Sequence, residues 1–320
     1  MNPYELLRPR AWLKLLPAQS QEVVKAAARK MRERAFKALY SYGPTQLEMK
    51  LAELGIAAGD SLVMQSSFSN LNGFSGDAVD VLDTVLKVLG PEGNLFMVSM
   101  PYSGSAREYL SEGKPFNVRR TASHMGLLSE LFRRRKGVVR SANPMHPVLA
   151  YGPRAEWLVA GHEDLSYSCG ENSPFERMLE LDTKALLFDV DLDVLTFMHY
   201  LEHAFRDSAP VDVYAPEPIE VTIIDRTGAR KNIAVYPFAR DAMQLRNFGV
   251  VYDELLSQAL VRKARVGNTD LQLVRLRDVM MCGEQLVARG IHIFARPGEP
   301  THIKPLRRGP RRSKSRKRRK

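Results

Sequence analysis

Gly59-Asp-Ser-Leu-Val-Met-Gln-Ser-Ser-Phe-Ser-Asn-Leu-Asn-Gly73 opens on a turn, runs through apolar residues and ends in a string of hydroxyl and amide side chains. Gly59-Asp60 turns the chain, and Ser61 to Met64 reads as a short buried strand. Small polar residues directly after such a strand let backbone N–H groups point outward, a geometry suited to holding a carbonyl or a pyrophosphate. Working outward, residues 45–56 read as a helix ending at Gly55. Val79, Leu82, Val85, Leu86 and Leu89 share one helical face, and Gly90-Pro91 stops that helix. A second apolar strand is expected at Leu95 to Ser99, an amphipathic helix at 124–134, and a continuous apolar central strand at Lys184 to Val190.

Beyond about Ala209 the pattern changes. Ile219, Val221 and Ile223 alternate with polar residues, Asp225-Arg-Thr-Gly228 turns, and Ile233 to Tyr236 returns as the second arm of a hairpin. Helices at about 250–262 and 276–289 flank an extended stretch around Gly267. Buried strands interleaved with helices, then a hairpin, predict an α/β body with a partly antiparallel sheet. No internal repeat is present.

The 320 residues suffice for a sizeable core. The formal net charge of +11 is unevenly placed: Lys304 to Lys320 holds eleven Lys and Arg and no acid, which leaves 36 basic against 36 acidic residues in the body. The tail carries the whole excess, and residues 305–320 are too poor in apolar side chains to pack. Residues 20–40 predict a basic helix with Ser20 as N-cap, docked through Val23, Met31 and Phe36. Two cysteines exclude a disulfide framework or a cysteine-rich zinc site and suggest a reducing, cytoplasmic setting. No apolar run reaches the roughly 20 residues that span a bilayer.

No P-loop, dinucleotide fingerprint or G-x-S-x-G elbow occurs. His199 and His203 stand four apart with Glu202 between them, which is the wrong register for a zinc-protease motif, and a polar helix face is the simpler reading; no metal is expected. Three polar segments remain at expected strand ends: the loop after Met64, Val139-Arg-Ser-Ala-Asn-Pro-Met-His-Pro-Val148, and Cys169-Gly-Glu-Asn-Ser-Pro-Phe175. In the second, prolines on either side of Met145-His146 restrict the backbone and hold the imidazole with little freedom. Each segment also has a structural reading, as turn serines or a structural histidine.

Taken together, the blocks resemble the aminoglycoside 3-N-acetyltransferase family. The resemblance runs through Gly59-Asp60 and Val63-Met-Gln-Ser-Ser-Phe68, Gly90-Pro-Glu-Gly-Asn-Leu95, and Arg120-Thr-Ala-Ser-His-Met-Gly126. It continues through Arg140-Ser141 with Asn143-Pro144-x-His146, Gly152-Pro-Arg-Ala155, Gly161-His162 and Gly170-Glu-Asn-Ser-Pro-Phe175, then Asp193, Thr196 and His199-Tyr200-x-Glu202. It covers about residues 45–295. With the charge pattern, three regions are expected: a basic helical extension at 1–44, the acyltransferase domain at 45–295 and a disordered basic tail at 296–320. The implied fold is an antibiotic N-acetyltransferase-like α/β sandwich with a mixed sheet, distinct from the common pyrophosphate-loop acetyltransferases.

What the resemblance implies chemically is direct transfer of an acetyl group from acetyl-CoA, a co-substrate, to an amine of an aminoglycoside or related amino sugar, a resistance activity. His146 would be the general base and Glu171 would orient its ring. Backbone amides around Ser66, Ser67 and Phe68 would stabilise the oxyanion, each donor worth about 3–4 kcal/mol of barrier, and would hold coenzyme A together with Thr121 and Ser123. Asp189, Asp191, Asp193, His199 and Glu202 would face the cationic acceptor.

The chain departs from the family pattern at Gln65 and Asn143, where histidines are common, at Asp189 and Asp191, where glycines are common, and at Val194-Leu195. These changes fall mostly at the acceptor end. The alternatives are a biosynthetic acyltransferase with a non-antibiotic acceptor, and an inert scaffold tethered to polyanions by its tail, since a run of positive charge binds polyanions weakly and salt-dependently. Oligomeric state, including a homodimer, stays open.

Overall fold

The computed structural model describes residues 17–68 and 73–294. The expected disordered tail at 296–320 lies outside them. A seven-stranded sheet is built from β1 (Ser61–Ser66), β2 (Asn94–Val98), β4 (Val139–Arg140), β5 (Val148–Tyr151), β6 (Lys184–Phe188), β9 (Arg262–Val266) and β10 (Thr269–Arg275) in the order β4-β5-β2-β1-β6-β10-β9. A second, three-stranded sheet holds β3 (Phe116–Asn117), β7 (Ile219–Ile224) and β8 (Arg230–Val235).

The large sheet is mixed, as expected. β1 pairs in parallel with both β2 and β6, while β5 and β10 run antiparallel to their neighbours β2 and β6. The centre is apolar on both faces because the strands alternate into two cores. Val63, Phe96, Val98, Ala185, Leu187 and Val274 enter one core. Leu62, Met64, Leu95, Met97, Leu186, Phe188, Leu271 and Leu273 enter the other. A third, smaller core under the three-stranded sheet takes Phe116, Val118, Met145, Val221 and Ile223.

Helices flank the sheet where periodicity placed them. Pro44–Leu54 ends on left-handed Gly55, and Ala78–Leu89 is N-capped by Asp77, whose carboxylate accepts from Val79 and Asp80 amides. The hairpin appears as β7–β8. The helix predicted over 250–262 stops at Ser257; residues 258–261 turn, and Arg262 opens β9.

The basic helix Ala18–Tyr40 forms, but Val23 and Met31 are 69% and 64% exposed, so neither docks it. Phe36 lies outside the described side chains. The helix is held at its end: Tyr42 is buried, donates its amide to the Gly73 carbonyl and packs tilted against Phe74, ring centroids 5.3 Å apart. The Tyr40 carbonyl presses against the Cα atoms of both Gly73 and Gly267. A Cβ at either would come within 2.4 Å of that oxygen, and both have positive φ, so only glycine fits.

Candidate active site

The 139–148 segment is a pinned turn. The Asn143 Oδ1 accepts the Met145 amide at 3.0 Å while its Nδ2 donates to the His162 and Leu165 carbonyls, both at 3.2 Å. Tyr102 donates its hydroxyl proton to the Met145 carbonyl at 2.8 Å, and Ser99 N–H reaches the Pro147 carbonyl at 2.8 Å. His146 is left at the turn's apex, 3% exposed, under Phe175 and Phe238 with ring centroids 6.5 and 5.8 Å away.

The partner of His146 is Ser168. Nδ1 and Ser168 Oγ lie 2.7 Å apart, and among the described residues no hydrogen-bond partner meets Nε2. Burial, reinforced by nearby His199, His162 and Arg246, pushes the His146 pKa well below its ordinary value. The ring is therefore neutral at pH 7, with a lone pair free for a proton.

Ser168 also governs His162. Its carbonyl accepts the His162 Nε2–H at 2.8 Å, while Nδ1 faces Ser141 Oγ at 2.8 Å. Because a carbonyl can only accept, the tautomer is fixed by its surroundings. Burial lowers the His162 pKa to about 4.

Glu171 was expected to orient His146, and the structure places it elsewhere. Its carboxylate accepts from His203 Nε2 at 2.6 Å and from Arg206 at 3.3 Å, and its side chain is 61% exposed. Its own backbone N–H, with His203 and Arg206, holds its pKa at about 2. His203 Nδ1 accepts from Tyr214 at 2.8 Å, so His203 ties the helix Met198–Ala204 to the 165–173 loop through Glu171 and to the segment around 214 through Tyr214.

That helix brings a second ring beside the first. His199 lies 5.0 Å from His146, centroid to centroid. Its Nδ1 meets Glu202 Oε2 at 2.7 Å, and fully buried Glu202 receives two further bonds from Arg246, at 2.6 and 3.0 Å. Arg246 stacks over Phe238 and Phe248. Gln65 fixes the start of this region, since its Nε2 donates to the Val194 carbonyl at 2.8 Å and its Oε1 accepts the Thr196 amide at 2.7 Å.

The remaining expected residues divide. The amide of Ser67 is spent on the Phe188 carbonyl at 2.9 Å, which removes one of the three expected donors. Thr121 and Ser123 bond within their loop and to the helix that follows it, Leu127–Arg134. Thr121 Oγ1 accepts the Asn117 amide, its carbonyl accepts from Arg140, and Ser123 Oγ pairs with Ser129 at 2.8 Å. Arg140, buried over Phe116, also donates to the Ser99 carbonyl and so ties this loop to the His146 turn.

Asp189 and Asp191 line an open cleft of about 460 Å³ with Tyr252, Lys263, Asp270 and Gln272; Asp193 does not. Asp189 adopts φ +56°, in the left-handed region where glycine is at ease. Burial, then the neighbouring Asp270 and Asp191 carboxylates, raises its pKa, and burial with Asp191 raises that of Asp193.

Sequence reasoning missed Ser168, Arg246 and Phe238. A lone serine, arginine and phenylalanine in loops carry no spacing signal. Among the described residues no group of three or more His, Cys, Asp or Glu could hold a metal, and no helix is long and apolar enough to cross a membrane.

Comparisons with known proteins bear on the whole arrangement. The family model for aminoglycoside 3-N-acetyltransferases matches residues 63–288. An aminoglycoside N(3)-acetyltransferase III from Salmonella sp is 30% identical over 164 residues, 48% of this chain and 57% of its own length. The matched part thus spans just over half of that relative. An aminoglycoside N(3)-acetyltransferase IV, also from Salmonella sp, is 28% identical over 262 residues, 81% of this chain and 93% of its own length. Among solved structures, AAC-IIIb in a binary complex with CoASH superposes with a TM-score of 0.65 at 23% identity, covering 78% of this chain and 98% of that one. The AAC(3)-IVa apoenzyme gives a TM-score of 0.64 at 25% identity, covering 81% and 93%.

Proposed function

Because the chain belongs to the aminoglycoside 3-N-acetyltransferase family, we propose that it transfers the acetyl group of acetyl-CoA to an amine of an aminoglycoside or related amino sugar. The observation that carries the reading is the neutral His146 ring, held by Ser168 at the apex of a doubly proline-flanked turn with Nε2 unengaged among the described residues.

In the transfer, the amine nitrogen attacks the thioester carbonyl carbon, and His146 Nε2 takes a proton from that nitrogen as the C–N bond forms. The tetrahedral oxyanion is met by the amides of Ser66 and Phe68 at the end of β1. Collapse breaks the C–S bond, and the coenzyme A thiolate leaves and receives the proton. Glu171 contributes by fixing the loop that carries Ser168, a positioning role in place of direct contact with the ring. Thr121 and Ser123 shape the loop beside β1, where Gly126 faces the Ser66 carbonyl, and so border the coenzyme A side. A polycationic acceptor suits the carboxylates of Asp189, Asp191 and Asp270, which Lys263 offsets in part.

The test is thiol release from acetyl-CoA with a panel of aminoglycosides and simpler amines. Turnover on at least one aminoglycoside is expected, with at least a hundredfold loss in His146→Gln at unchanged folding. No turnover on any amine, with coenzyme A binding intact, would overturn the proposal.

A further inference from the structure

The helix Ala18–Tyr40 has 23 residues and is about 35 Å long. Among the described residues it is fastened where the chain leaves it, at Tyr42, Gly73 and Phe74. No described side chain along its length is buried, and Val23, Met31 and Leu39 are 69%, 64% and 69% exposed. Helices in proteins draw most of their stability from an apolar face packed against a partner, and water does not supply one.

The exposed apolar residues are not scattered. Val23, Ala27 and Met31 fall at i, i+4 and i+8, and Val24 and Ala28 repeat the spacing one position on, so the five form one stripe. Lys25 and Arg29 border the stripe on one side, and Lys30 and Arg34 edge it on the other. Lys25 reaches Glu22 at 2.9 Å, a surface ion pair that water weakens. Lysine and arginine stems can lie along apolar surface while their charged ends stay in a polar layer. An apolar stripe between basic borders is what a helix lying in the headgroup region of a bilayer presents.

Charge along the chain points the same way. Residues 1–40 hold nine Lys and Arg against three Glu, and residues 304–320 hold eleven Lys and Arg and no acid. Residues 41–303 hold 27 basic and 33 acidic residues, a net charge of −6. An anionic surface therefore attracts the two ends and repels the middle. The sequence just before the helix, Trp12-Leu-Lys-Leu-Leu16, again mixes basic with large apolar residues. A nucleic acid would answer the charge and leave Val23, Met31 and Leu39 in water. An anionic bilayer answers both.

We infer that the helix Ala18–Tyr40 binds the surface of an anionic lipid bilayer, with the stripe of Val23, Ala27 and Met31 entering the headgroup region and Lys25, Lys30 and Arg34 engaging lipid phosphates. The inference goes beyond the transferase reading and does not depend on it. Residues outside the site would hold the site at a membrane.

The test mixes the full chain with vesicles of phosphatidylcholine, alone or with about 30% phosphatidylglycerol, and reads the bound fraction by flotation. Binding is expected on the anionic vesicles only, weakening as salt rises to about 0.5 M. Lys25→Gln, Lys30→Gln and Arg34→Gln together should weaken it roughly a hundredfold, the effect of three charges near an anionic surface. Val23→Gln with Met31→Gln keeps every charge and should weaken it at least ~10-fold. Both variants change exposed residues and should keep the wild-type urea midpoint; should either not fold, the other carries the test. The apolar variant also separates the classes of partner, because a nucleic acid, or a contact made by the basic tail alone, would be indifferent to it. Vesicle binding that survives the apolar variant, or no binding to anionic vesicles, would overturn the inference. So would tighter binding to a duplex oligonucleotide than to the vesicles. Self-association in vesicle-free buffer that both variants abolish would overturn it too, since a second copy would then cover the stripe.

Discussion

His162 makes the stability of this protein acid-sensitive over a defined window. Replacing it with asparagine should flatten the pH dependence of unfolding. In the folded chain its pKa is lowered to about 4 by burial, against about 6.5 in the unfolded chain. Above pH ~6.5 both states hold a neutral ring and the group contributes nothing to the slope. As pH falls below that, the unfolded chain takes up a proton that the folded chain refuses, and folding loses about 1.4 kcal/mol per pH unit until roughly pH 4. The structure supplies the reason for the refusal. Nε2–H is committed to the Ser168 carbonyl, and Nδ1 faces a Ser141 hydroxyl whose oxygen already accepts the Val148 amide. A proton on Nδ1 would have to turn the Ser141 hydroxyl hydrogen away from the ring and would place a charge where burial keeps water out.

Urea unfolding at pH 7, 5.5 and 4.5 should therefore show wild type losing about 2.5 kcal/mol more than His162→Asn over the range. The variant will be less stable at pH 7, since it leaves a buried carbonyl or hydroxyl without a partner, by about 1–3 kcal/mol. That offset is constant and leaves the slopes comparable. Parallel curves for the two proteins would refute the reasoning.

Glu202→Ala should cost about 3–5 kcal/mol because it strands Arg246; a melting-temperature drop of roughly 4–8 °C would show it, and a drop under ~2 °C would count against the network. Asp189→Gly relieves a left-handed backbone and should stabilise by about 1 kcal/mol in chemical denaturation, while raising the KM for cationic acceptors. Glu171→Gln should lower kcat by less than His146→Gln does, by no more than about tenfold, because its carboxylate acts through the loop and not on the ring; a loss equal to that of His146→Gln would put Glu171 back in contact with the chemistry.

Much of the fold could be read from alternation and punctuation. Ser61 to Met64, Leu95 to Ser99 and Lys184 to Val190 announced three neighbouring strands, because a central parallel strand must be apolar on both faces. The β9–β10 hairpin was seen only as an extended stretch near Gly267. Arg262, Lys263 and Arg265 lie on an edge strand, where solvent accepts charge and the apolar pattern thins. β5 was missed because Val148–Tyr151 is only four residues long and begins directly after Pro147.

The candidate site was legible to the extent that local backbone fixed it. His146 stood out because Pro144 and Pro147 constrain its turn. The partner of Glu171 could not be read, since His203 reaches it only through the rotation of the helix Met198–Ala204 against a loop about thirty residues away. Nor do the bonds of Thr121 and Ser123 show in the sequence: one hydroxyl meets the Asn117 amide and the other Ser129 on the following helix.

Ser168 offers its side chain to one imidazole and its main chain to another. Whatever tilts the peptide at that position must disturb an interior ring and a reacting ring at once. Drift in the surrounding loop is therefore penalised twice, in folding and in turnover, so natural variants altered at Tyr167 or Asn172 can survive only if they leave the carbonyl direction at 168 unchanged.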